Sequence, residues 1–154
     1  MNQDTDFIGI DIPRRTVHFF QSVAAMRASL VFSPGEVREY FDGDRFRLTP
    51  AFDDEGRVAR MVRTTSRLSE RSMQARLNAV VRNSRQRIDG EFAAGVRDDD
   101  HQKALQEALS GLDAFDGASF AERYVLLAQS VFSDPEEDHD SGAIHNCLAH
   151  GRCW

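Results

Sequence analysis

Cysteine is almost missing from the body of this 154-residue chain: Cys147 and Cys153 both fall within its last eight residues. No disulfide can therefore staple the fold, and stability must come from packing. Long apolar runs are missing too. Nothing approaches the ~18 residues that a membrane span needs, and residues 1–6 are polar and acidic rather than the basic start of a secretory signal. The expectation is a cytoplasmic protein with no membrane partner. Lysine is scarcer still, since Lys103 stands alone beside eighteen arginines. Catalytic signatures are also lacking: there is no Walker-type phosphate loop, GxGxxG, HExxH, GxSxG or paired CxxC. Gly9-Ile10-Asp11 is a faint match to the first carboxylate of two-metal nucleases, but no second and third carboxylates follow on neighbouring strands. Binding is therefore a better expectation than catalysis.

What is present suffices for one folded domain. Hydrophobic residues make up 41% of the chain and charged residues 29%, with eleven Phe, which is a globular rather than a disordered composition. The net charge of −6 opposes generic adhesion to polyanions. That average conceals a division, because residues 57–88 contain nine arginines against the single acid Glu70, a local +8 that leaves −14 on the remainder.

Periodicity places the elements. Residues 7–12 alternate, with Ile8, Ile10 and Ile12 on one side, and residues 16–21 are β-prone, giving two strands. Residues 23–32 fit helix or strand. Ser33-Pro34-Gly35-Glu36 has the form of a helix start, predicting a short helix to Phe41. After a turn at Asp42-Gly43-Asp44, residues 45–52 form a strand with Phe46, Leu48 and Phe52 inward. Asp53-Asp54-Glu55-Gly56 reverses the chain, and residues 57–63 return with Val58 and Val62 on one face. Pro50 sets its strand at an edge or a bend. From Ser66 or Ser69 to Ile88 the pattern is helical, burying Met73, Leu77, Val80, Val81, Ser84 and Ile88, with Gly90 as its stop. A second helix starts at Asp98-Asp99-Asp100 and ends near Gly111, and the box Ser119-Phe120-Ala121-Glu122 opens a third through Phe132, with Phe120, Tyr124, Leu127 and Val131 inward. The fold class expected is α+β: a small, mostly antiparallel sheet from the N-terminal half, packed in two layers against three C-terminal helices. Residues 1–133 form the domain, and 134–154 an acidic linker with a terminal tail.

Two features point to sites. On a helical wheel Arg67, Arg71, Arg82 and Arg85 fall within about 60° opposite the apolar stripe, and Arg60 and Arg63 on the preceding strand extend the row. Planar guanidinium forks suit phosphates and carboxylates, so a nucleic-acid backbone or an acidic protein surface is the expected partner. The competing readings are a biased arginine usage, a solvated helix face, or docking of the chain's own acids at 98–100 or 134–140. The second feature is His145, Cys147, His150 and Cys153, four ligands acceptable to zinc within nine residues. Zinc sites usually join two ligand pairs across a longer loop, so a redox-sensitive thiol pair, an inert tail, or the modified end of a precursor whose first 133 residues serve for recognition are the alternatives.

Overall fold

The computed structural model describes residues 6–28 and 38–131, with five strands and four helices among them. They fall into two compact units divided between Met73 and Gln74. The first carries an antiparallel sheet and the second is helical, which is the α+β arrangement expected from the sequence.

In the first unit β1 (Phe7–Asp11) and β2 (Thr16–Phe20) form a hairpin with Phe7 opposite Phe20 and Asp11 opposite Thr16. The Asp11 carboxylate accepts the Arg14 amide at 3.0 Å and fixes the connecting turn. Every residue of both strands is buried, so both faces are covered. The one-sided alternation read from Ile8, Ile10 and Ile12 is therefore too simple, and Ile12 lies exposed in the turn. The ambiguous stretch after β2 begins as a helix, α1 (Val23–Ala28), whose first turn is capped by the Ser22 hydroxyl accepting the Ala25 amide. Val23 and Met26, one turn apart, pack with Phe7, Phe20, Tyr40 and Val58 into the core, with Leu48 and Met61 against it.

The helix expected to reach Phe41 is not found over residues 38–41, which form strand β3 (Arg38–Phe41). The start signal at 33–36 lies outside the described residues. What decides 38–41 is an available neighbour on each side. β3 pairs antiparallel with β1 (Ile8 to Phe41, Asp11 to Arg38) and with β4 (Tyr40 to Leu48), and such pairing overrides local preference. β4 (Phe46–Phe52) and β5 (Val58–Arg67) form the expected hairpin, with Gly56 at φ +78° in the reversal. The sheet order is β2-β1-β3-β4-β5. Between the pairs Phe52–Val58 and Ala51–Arg60 the register shifts by one residue. This bulge flips the phase of β5: Val58 is buried and Met61 packs on the core, whereas Val62, expected inward, is exposed. Phe52 is likewise exposed, at the hairpin tip. Pro50 pairs with Met61 of β5, and the β3 pairing stops at Leu48, so its missing donor interrupts no second ladder among the described residues.

β5 leads into α2 (Glu70–Ala94), capped by the Ser69 hydroxyl, which accepts the Ser72 amide. Met73, Leu77, Val80, Val81, Ser84 and Ile88 are all buried, as their spacing predicted. Gly90 does not end α2. The stop is Gly95, at φ +101°, where the left-handed backbone suits glycine. α3 (Asp99–Phe115) starts from Asp98, whose carboxylate accepts the His101 amide, and continues past Gly111. It buries Leu105, Ala108, Leu112 and Phe115 at helical spacing and leaves Lys103 exposed. α4 (Phe120–Val131) opens on the expected box, with the Ser119 hydroxyl accepting the Glu122 amide and donating to its carboxylate.

Candidate functional site: the arginines of β5 and α2

The β3–β4 turn is built on one buried carboxylate. Asp42 accepts the amides of Asp44 and Phe46 at 2.9 and 3.0 Å and lies 2.6 Å from the Arg63 guanidinium. Arg63 also reaches Asp44 at 3.2 Å and stacks over the Phe46 ring at 4.4 Å. Arg67 lies over the same ring at 5.4 Å and donates from Nε to the Asp44 carbonyl. The pairing contributes to this convergence: Arg67 is opposite Phe46 and Arg63 opposite Leu48, with an irregularity between the two pairs that sets the span from Arg63 to Arg67 against the shorter one from Phe46 to Leu48. Such stacking contributes about 0.5–1 kcal/mol per pair at exposed sites, and it holds two otherwise floppy side chains in place.

Arg60 does not join them. It pairs with Ala51, three residues from Arg63, and therefore projects from the opposite face of β5. The row of Arg60 and Arg63 read from the sequence is thus split by the pleat. Arg67 leaves the helical stripe as well, because the Phe46 pairing keeps the chain extended through it, and α2 begins only at Glu70.

Arg85 is accounted for within the second unit. Its guanidinium lies 2.8 Å from Asp113 and 3.4 Å from Asp116, at the corner between α3 and α4, and the Asp113 hydrogen bond chiefly pushes its pKa up. The chain's own acids do engage Arg85, through Asp113 and Asp116; of the acids anticipated, Asp98 caps α3, Asp99 and Asp100 form its first turn, and 134–140 lie outside the described residues. Two more polar ties join α2 to the same corner, from the Gln74 amide to the Ala118 carbonyl and from Arg123 to the Asn78 carbonyl oxygen at 2.8 Å.

Arg71 and Arg82 remain on the side of α2 away from its buried residues. Eleven residues separate them, which at 100° and 1.5 Å per residue sets them within about 20° of each other and roughly 16 Å apart along the axis. Both are exposed, as is Arg60. Among the described residues none of the three has an ion-pair or hydrogen-bond partner for its side chain.

Two buried polar groups escaped the sequence reading. Arg123 is 2% exposed and lies over the Phe115 ring at 5.0 Å; burial pushes its pKa down, with Asp116 opposing. The signal was its position three residues after Phe120 and four before Leu127, on the face the capping box fixes as inward. Its charge argued against that placement. Asp11, Thr16, His18 and Arg38 lie on one face of the β2-β1-β3 ladder, with the Arg38 Nε 4.0 Å from Asp11. Asp11 thus has guanidinium neighbours in place of the further carboxylates a two-metal site needs, and no cluster of three metal-ligating side chains occurs among the described residues. His101 is structural, its Nδ1 accepting the Arg97 amide at 3.1 Å and its Nε2 lying 3.3 Å from Glu91. His145, Cys147, His150 and Cys153 lie outside the described residues.

Among the described residues no helix is long and apolar enough to cross a membrane. Comparisons with protein families, curated proteins and solved structures returned no match.

Proposed function

We propose that this chain is a non-enzymatic, cytoplasmic binding protein that engages an anionic partner, a nucleic-acid backbone or an acidic protein surface, through exposed arginines. The observation that carries the reading is the exposure of Arg60, Arg71 and Arg82 without an ion-pair partner among the described residues, in a chain with 25 acids to 19 bases. Arg63 and Arg67 are held at the β3–β4 turn and Arg85 at the α3–α4 corner, so these three are already engaged within the chain.

The test is charge reversal of Arg71 and Arg82 together. Both are exposed and outside the packed stripe, so the thermal transition should not move. Binding to a labelled oligonucleotide or to polyglutamate should weaken, and the slope of log affinity against log salt should fall by about two for a duplex. Affinity that ignores both salt and the reversal would overturn the proposal.

A further inference from the structure

We propose that the outer edge of β5 receives an extended acidic segment of a partner protein, which adds a sixth strand to the sheet and sets carboxylates against Arg60 and Arg63. The inference rests on the anion-binding reading and takes it to one partner class at one place. β5 is the terminal strand of the sheet, pairing with β4 on one side and with no strand on the other among the described residues. Alternate residues of such a strand turn N–H and C=O groups outward, a template for another chain. β5 is ten residues long, seven of them exposed, and it contains neither proline nor an acidic residue.

Its side chains select the occupant. Over Arg60–Arg63 the register with β4 is regular, so this stretch can propagate a ladder. Arg60 and Arg63 stand on opposite faces, and an added strand alternates in the same way, so carboxylates three positions apart would meet both. Arg63 is already oriented by Phe46 and shared with Asp42 and Asp44, so an incoming carboxylate would join an existing cluster there, while Arg60 is uncompensated among the described residues. A second copy of this chain paired antiparallel about Met61 and Val62 would set each Arg60 opposite the other copy's Arg63, and directly opposed like charges are unfavourable. A nucleic acid offers phosphates but no main-chain ladder.

The experiment measures binding to the full chain of a capped, labelled peptide of Thr and Val carrying two glutamates three positions apart. The same peptide with alternate amides methylated, and a labelled single-stranded oligonucleotide, run beside it. The unmodified peptide should bind. Methylation, or Arg60→Glu, should weaken it about tenfold or more, since each removes ladder bonds or the free cation. Equal binding of the methylated peptide, or indifference to Arg60→Glu, overturns strand addition while the anion-binding reading stands. Binding of the oligonucleotide alone does the same, and binding of neither probe overturns both.

Discussion

Arg123 poses the sharpest question at the scale of a single residue. A buried guanidinium with one amide partner, an aromatic ring beneath it, and no hydrogen-bond partner at Nε carries a desolvation cost that its contacts only partly offset. Replacing such a group with an apolar side chain of similar length is often neutral or stabilising by about 1–4 kcal/mol. Arg123→Met should therefore leave the thermal midpoint unchanged or raise it, because the Asn78 amide it abandons is exposed and can turn to water. A fall of several degrees would show that the hydrogen bond to Asn78 outweighs the cost of burial. Arg71 and Arg82 follow the opposite logic: exposed and without a side-chain partner among the described residues, they should leave the thermal midpoint in place when replaced.

Elements were legible where periodicity and caps agree, and misleading where one local signal stood alone. The α2 stripe and the Ser119 box were readable because burial and capping each repeat the same phase. β3 was not, because its strand character comes from β1 and β4, which are distant in sequence. The flipped phase of β5 has a similar origin, since a bulge is a property of two strands together. Of the site, exposure of Arg71 and Arg82 followed from the wheel, but the division of Arg60 from Arg63 and the ties of Arg85 depend on register and on the α3–α4 corner. Gly90 shows how little one glycine says about a helix end. It lies inside α2 with room around its missing Cβ, so Gly90→Ala should stabilise the protein by about 0.5–1 kcal/mol. Gly95→Ala should destabilise it, because φ there is +101° although space is open. Midpoints of thermal or urea unfolding read both signs, and a gain at Gly95 would contradict the assignment of the true stop.

At the scale of the whole molecule the two features read from the sequence call for independent tests. The zinc reading of His145, Cys147, His150 and Cys153 requires about one zinc per untagged chain, lost when both cysteines become serine and unaffected by reversing Arg71 and Arg82. Elemental analysis after purification decides it, and a protein that is metal-free and takes up none on titration ends that reading without touching the arginine one. The near-monopoly of arginine has a practical side as well. Lys103 is the sole lysine and is exposed on α3, so amine-directed acylation has, besides the chain's N-terminus, a single target and spares every guanidinium. A protease specific for lysine likewise has one bond to cut, inside a helix whose other face is buried. Its cutting rate should follow how often that turn of α3 opens, and native digestion should give two fragments joined at residues 103 and 104, turning an absence in the composition into a built-in reporter of local unfolding.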